Sequence, residues 1–589
     1  MENCLLPLLV YRHRIKGIAQ KLESARISYG LGKSGKEAYM GFDAIIIGSG
    51  FGGSITACRL AQAGMKVLVL ERGRRWEPKA APGITAYPRD ILDPWIWDQR
   101  HPENFSGWVD LRMFKGMSVV AGAGVGGGSL IYANVSIVPP SDVFKAPWPQ
   151  EIIFSELQPY FKQVAEFLDV DFLPDNQINP RVTLLHQGAA KLGAEDRYGL
   201  LPVAINFRKD LKLNPEDPPT EKDSIEAFNK HGAKQGTCIH AGQCDFGCPV
   251  KAKNTLDVNY LFVAQQNGAE VRPLHLVKNI ELEGTGYKVS YDKVDEQNHT
   301  LIPGSENANH VIVAAGSLGS TEILFRARDQ FKTLPNISRF LGRNWSSNGD
   351  FLTPAFYLLR KLYPVVGPTI SSGIKFLDRS RDGQSFIIED GGIPNLLQKH
   401  LEAVRAQNAL ARHPFDSMLN SIKMVLRESP LAFNPGNHIM PWFANGVDAG
   451  NGEYQLNNDQ LDLLWDVTKS IPAFEAEIHT HEQLSWETAG IPIVNPFWKD
   501  NLITPHPLGG CNMGSTADDG VVNHAGEVFG YKNLYVIDGA IVPTPLGVNP
   551  SRTISALAER AAKIMIDATA RQTSGNSPAN WQASNRPPL

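Results

Sequence analysis

The chain has 589 residues, 42% hydrophobic and 20% charged, an ordinary globular composition at a length that allows about two to four domains. A net charge of -4 gives no basic footprint and argues against nucleic acid as a partner. No apolar run approaches the roughly 18–20 residues of a membrane span, and the N-terminal CLLPLLVY fits a signal peptide poorly, so a cytoplasmic protein is expected.

In chain order, residues 1–40 carry no motif; IKGIAQKLESARI, from Ile15 to Ile27, reads as a helical arm with peripheral membrane contact as one role. Asp43 to Ile47 is a β-branched run of the kind found in buried parallel strands. It leads into G-x-G-x-x-G at Gly48, Gly50 and Gly53, and a helical pattern runs from Ser54. The second strand, KVLVLE, ends in Glu71, 18 residues after Gly53. In this setting the first glycine permits a tight turn and the second admits a pyrophosphate. The third lets the helix pack on the strand, and the acid meets a ribose hydroxyl. Glu71 in place of a basic residue disfavours a 2′-phosphate and leaves NAD or FAD.

Residues 121–135, AGAGVGGGSLIYANV, hold five glycines, too many for a good helix or strand but suited to backbone lying on a flat ligand. Cys238, Cys244 and Cys248 follow as C-x5-C-x3-C, although six cysteines in all are too few for a disulfide scaffold. HVIVAAGSLGSTEILF, residues 310–325, reads as another strand, glycine turn and helix start. TPHPLGGCNMG, residues 504–514, then sets His506 between two prolines, which hold the backbone out of helix on both sides. Leu534 to Ile537 reads as a strand ending in Asp538-Gly539; Asn549 is a good N-cap and Pro550 opens a helix. That helix N-terminus suits negative charge developing on a reduced flavin.

In this order, GSGFGG, GAGVGGGSL, AAGSLGS, HPLGGC, YVIDGA and GVNPS resemble the glucose–methanol–choline (GMC) flavoprotein oxidoreductases, in their cholesterol-oxidase-like branch. The matches span residues 42 to 566, weakly over 140–235 and 335–480. The resemblance implies an α/β fold, a doubly wound, FAD-binding Rossmann-like domain with an inserted α+β substrate-binding domain. The FAD-binding part would comprise residues 41–135, 236–330 and 500–568, the substrate part 136–235 and 331–499, and a disordered tail 569–589.

For the cofactor it implies Gly48, Gly50, Gly53 and Glu71 at the dinucleotide end, with Gly126, Gly127, Gly128 and Ser129 in the flavin loop. Val277 would meet the adenine, and Asp538, Gly539 and Asn549 the flavin end. No histidine stands where a covalent flavin link would form, so non-covalent FAD is expected. His506 would be the catalytic base, as suits an imidazole near neutral pH, and Asn549 would hold the alcohol hydroxyl.

Sterol oxidases of this type also carry a glutamate that supports double-bond isomerisation. The corresponding stretch here is read as residues 434–446, NPGNHIMPWFANG, with no glutamate; Asn437 and His438 are its nearest polar residues, which leaves isomerisation in doubt. The cysteine loop admits three readings: reduced thiols, a disulfide, or an Fe-S cluster of the kind held by GMC sugar dehydrogenases on three cysteines. A zinc site fits less well, with only His240 to complete it.

The expected activity is hydride transfer from an alcohol carbon to flavin N5, with a bulky hydrophobic alcohol such as a sterol favoured and O2 or another acceptor taking the electrons. The alternatives are a sugar or simple-alcohol dehydrogenase with a cysteine-bound cluster and a non-catalytic flavin- or lipid-binding protein.

Overall fold

The structure, a computed structural model, describes residues 41–79, 85–86, 95–394 and 435–574. The expected arm over residues 1–40 lies outside the described residues. In chain order come β1 (Phe42–Ile47), α1 (Phe51–Gln62), β2 (Val67–Leu70), β3 (Val109–Phe114), β4 (Met117–Gly122) and β5 (Tyr198–Leu200). Then follow β6 (Glu270–Arg272), β7 (His275–Glu283), β8 (Gly286–Asp295), β9 (Thr300–Val313) and α2 (Gly316–Phe325). The next set is β10 (Phe351–Phe356), β11 (Ser372–Arg381), β12 (Gln384–Asp390), β13 (Ile439–Gly446) and α3 (Ile471–Glu487). The chain closes with β14 (Ile491–Pro492), β15 (Leu502–Thr504), β16 (Leu534–Val536) and α4 (Ser551–Ser574).

The first sheet has the order β6-β2-β1-β9-β8-β7, with β16 beside β9. Its β6, β2, β1, β9 and β16 run parallel, and the hairpin β7-β8-β9 is antiparallel. Ala44, Ile45 and Ile46 have no exposed surface, as a strand covered on both faces requires. Each buried isoleucine there contributes about 1.5–3 kcal/mol. Ile47 lies opposite Val313, and Val313 opposite Val536. The turns after β1, β9 and β16 therefore share one sheet edge, the crevice where open α/β sheets bind ligands.

A second, antiparallel sheet of order β14-β10-β13-β12-β11-β5 carries α3 against its β10, β12 and β13 strands. A separate four-stranded sheet holds β15, which pairs in parallel with β4 as Thr504 opposite Val119. This pairing delivers the Pro-His-Pro turn to the strand that enters the glycine-rich loop. α4 continues to Ser574, five residues past Thr569, and the Thr569 hydroxyl donates to the Met565 carbonyl at 2.9 Å. Residues 569–574, read from composition as tail, thus belong to this helix, and residues 575–589 lie outside the described residues. No helix among the described residues is long and apolar enough to cross a membrane.

Candidate active site

A cavity of about 440 Å³ runs along the shared sheet edge, from Gly48, Gly50 and Glu71 to His506 and Asn549. Its glycines have different jobs. Gly48 has φ +97°, and a Cβ there would lie 2.4 Å from the Ala314 carbonyl oxygen. Gly53 is not on the cavity wall; a Cβ there would meet the Gly48 carbonyl oxygen at 2.1 Å, so it serves close helix packing. Gly50 and Gly128 face the cavity, and a Cβ on either would meet nothing within 4 Å. That open strip of backbone, with the α1 N-terminus behind it, fits a pyrophosphate.

Glu71 is buried on the cavity wall. Its Oε2 accepts from the Ser49 amide at 3.0 Å and the Ser49 hydroxyl at 2.7 Å, and its Oε1 from the Gly73 amide at 2.9 Å. The Gly126 amide in turn donates to the Ser49 hydroxyl at 3.0 Å, which locks the two glycine turns together. Gly127 lines the cavity, whereas Gly126 and Ser129 do not. The Ser129 hydroxyl donates to the Gly126 carbonyl at 2.7 Å and accepts from the Leu256 amide at 3.1 Å, so both residues shape the loop from behind. Val277 joins His275 and Leu276 on the wall.

Asp538 and Gly539 line the other end. The Asp538 carboxylate accepts from the Gly316 amide at 2.8 Å, the Ser320 hydroxyl at 2.5 Å and the Ala540 amide at 2.8 Å. Burial pushes its carboxyl up to about 6, against the pull of those donors.

The catalytic end is organised by a segment without a sequence motif, Ser346 to Asp350. Asn348 clamps the turn that carries Asn549: its Nδ2 donates to the Val548 carbonyl at 2.9 Å, and its Oδ1 accepts from the Leu546 amide at 2.9 Å. Two residues on, Asp350 clamps the histidine. His506 Nδ1 lies 2.9 Å from Asp350 Oδ1, and the Thr504 hydroxyl donates to Asp350 Oδ2 at 2.5 Å. Asp350 also accepts from Asn445 Nδ2 at 2.8 Å and is fully buried. Burial pushes its carboxyl up, and His506 is the first of the groups that pull it back.

A carboxylate acceptor at Nδ1 favours the imidazole proton on that nitrogen, which leaves the Nε2 lone pair available to accept a hydrogen bond. Asp350→Asn is expected to lower kcat by up to about a hundredfold. The amide offers either an oxygen or an N–H to Nδ1, and the second choice puts the ring proton on the wrong nitrogen. Steady-state kinetics against pH checks this; an unchanged profile removes Asp350 from the mechanism.

Asn549 lies on the cavity wall, 5% exposed, with its Oδ1 buried and without a hydrogen-bond partner. Its Nδ2 lies 3.4 Å from Glu389 Oε2. This corrects the expectation that no glutamate stands beside the site. Glu389 comes from β12, the strand next to β13, where its register partner is Phe443. Residues 434–446 therefore contain the neighbouring strand, and cross-strand pairing supplies the carboxyl. His438 instead points Nδ1 at the Tyr357 carbonyl, 2.8 Å away, and the Asn437 carbonyl accepts from the Leu362 amide at 2.6 Å. Burial pushes Glu389 up to about 8; Asn549 pulls it back, while Asp390 and Asp350 add to the rise.

Of the three readings of the cysteine loop, reduced thiols agree with the structure, and the Fe-S reading finds no support. Cys238, Cys244 and Cys248 are free thiols, and no group of three or more His, Cys, Asp or Glu among the described residues is arranged to hold a metal ion. Cys238 Sγ accepts from the His240 amide at 3.4 Å, and Cys248 Sγ from the Ala252 amide at 3.2 Å. Burial pushes the Cys238 and Cys244 thiols up.

The sequence has matching relatives across this whole frame. Residues 474–558 match the GMC oxidoreductase family, and residues 46–76 the NAD(P)-binding Rossmann-like domain. The cholesterol oxidase of Acinetobacter baumannii is 30% identical, over 88% of this chain and 93% of its own length. That of Mycobacterium tuberculosis is also 30% identical, over 89% and 91%. A long-chain-alcohol oxidase of Arabidopsis thaliana is 23% identical, over 90% of this chain and 68% of its own. Solved structures share the fold: pyridoxine 4-oxidase from Mesorbium loti has a TM-score of 0.56 at 16% identity, covering 89% of this chain and 98% of its own. Formate oxidase has a TM-score of 0.59 at 15% identity, covering 91% and 100%.

The chain is an FAD-dependent oxidoreductase acting on alcohol-type CH–OH groups. It belongs to the GMC oxidoreductase family, in the cholesterol-oxidase-like branch.

Proposed function

We propose that this enzyme oxidises a bulky apolar alcohol, a sterol in preference to a sugar, and that O2 takes the electrons. The observation that carries this reading is the wall around His506 and Asn549. Phe246, Leu352, Ile370, Pro394 and Phe443 make it apolar on the side where the substrate must enter. The cholesterol oxidases among the relatives support the same reading.

FAD, held non-covalently along Gly50, Gly128 and Asp538, supplies the two-electron acceptor for the hydride that leaves the carbinol carbon. His506 takes the hydroxyl proton at Nε2 while Asp350 keeps Nδ1 protonated. Asn549 holds the alcohol oxygen through its amide. Loss of one proton and one hydride leaves the carbonyl product. Alcohol-dependent peroxide formation in air tests the reading: turnover of cholesterol with sugars inert is the expected result, and turnover of sugars alone contradicts it.

Glu389 also supports isomerisation of a neighbouring double bond. A carboxylate raised to about 8 is a neutral acid below that pH and a base above it, so isomerisation is expected to increase as pH rises through about 8. Glu389→Gln is expected to leave ketone formation within about tenfold of wild type and to abolish the conjugated enone product. Product analysis by ultraviolet absorbance distinguishes the two ketones, and undiminished enone in the variant excludes Glu389 as the base.

A further inference from the structure

Lys253 is a charged side chain only 2% exposed, and no step at His506 uses it. Its ammonium has three N–H donors. The Leu130 carbonyl, at 3.1 Å, and the Tyr132 carbonyl, at 3.0 Å, take two of them, and the Cys244 carbonyl takes the third. The ammonium also lies 4.8 Å from the centroid of the Tyr132 ring. It stands behind the cavity wall rather than on it, and with every donor committed to backbone it has none left for a substrate. What it controls is the shape of the loop it holds and the charge behind that loop.

That loop is the part of the wall that joins the two ends of the cofactor site. Gly128 faces the cavity where a pyrophosphate fits. Seven residues on, the Val135 carbonyl accepts from the hydroxyl of Ser551, two residues after Asn549, at 3.1 Å. Ile131, Tyr132 and Ala133 line the cavity between those ends. In a trans peptide the C=O and the N–H point to opposite sides. The Tyr132 carbonyl points at Lys253, so the Ala133 N–H points away from it, and among the described residues that N–H has no acceptor. Burial pulls the Lys253 ammonium down to about 8, against the neighbouring Cys244 and Asp245, so at pH 7 it is mostly a cation.

A flavin that accepts a hydride gains one negative charge, and a fixed buried cation stabilises that charge without reorganising. We propose that Lys253 is a positioning residue for the cofactor: it turns the Ala133 amide toward the bound flavin and holds a positive charge behind the ring, which favours the reduced form. The proposal rests on the reading of this cavity as the FAD site.

The test is the midpoint potential of the bound flavin at pH 7, from anaerobic reductive titration against a reference dye. Wild type is expected to bind reduced FAD at least about tenfold more tightly than oxidised FAD, which places its midpoint about 30 mV or more above that of free FAD. Lys253→Met, which keeps the length of the side chain but loses its charge and donors, is expected to give up about tenfold of that preference, a fall of about 30 mV. Lys253→Gln keeps an N–H donor for the carbonyls and loses only the charge, and it is expected to fall likewise, including where Lys253→Met does not retain flavin. A wild-type midpoint no higher than that of free FAD, or an unchanged midpoint in either flavin-loaded variant, overturns the role of Lys253. Wild-type protein that takes up no FAD overturns the cofactor reading itself, and the proposal with it.

Discussion

Replacing His506 with alanine is expected to leave FAD bound and to slow reduction by alcohol about a thousandfold, the middle of the range for loss of a general base. The side chain stands on the cavity wall, on a turn separate in sequence from the Gly48–Gly53 and Gly126–Gly128 turns. Its hydrogen-bonded carboxylate, Asp350, keeps its Thr504 and Asn445 hydrogen bonds in the variant. Flavin content should therefore report an intact fold while anaerobic stopped-flow reports the lost base. Loss of the rate with a rise in kcat toward high pH would fit hydroxide or a pre-ionised alcohol replacing the imidazole. Unchanged reduction kinetics would remove His506 from the mechanism.

Gly50→Val is expected to give a folded protein without FAD. A Cβ at Gly50 meets no atom within 4 Å, and its φ of -73° is one that a branched residue adopts without strain. The valine methyls then occupy the space that a pyrophosphate needs. The same substitution at Gly48 would act differently, because φ +97° and the Ala314 carbonyl oppose any side chain there. Thermal melting in parallel with the visible spectrum separates the two: Gly50→Val should keep a cooperative transition without flavin bands. A fully flavinylated Gly50→Val protein would show that the pyrophosphate lies elsewhere.

The cofactor end was legible because it is local. β1, the glycine turn and α1 lie within about twenty residues, and the contact that requires Gly53, with the Gly48 carbonyl, falls inside that span. His506 and Asn549 were legible as motifs, but what holds them was not. Asp350 is 156 residues from His506, and Asn348 is 200 residues from the Val548 carbonyl that it binds. Both belong to a stretch with no periodic or motif signal, and only sheet pairing brings it to the site. Glu389 shows the same limit more sharply. Its identity depends on which strand lies beside which, and a reading one strand off replaces it with Phe443. In the cysteine loop, spacing that also suits a metal is used for backbone hydrogen bonds, and Asp245 and Phe246, between Cys244 and Cys248, line the cavity.

The central claim is that bound FAD is reduced by a bulky apolar alcohol at His506. The most direct test is an anaerobic visible spectrum of the flavin-loaded protein before and after addition of cholesterol, then of sugars and short alcohols. Bleaching of the flavin bands by cholesterol, lost in His506→Ala, is the predicted result. Bleaching only by sugars or short alcohols, or bleaching by cholesterol that is as fast without His506, contradicts it.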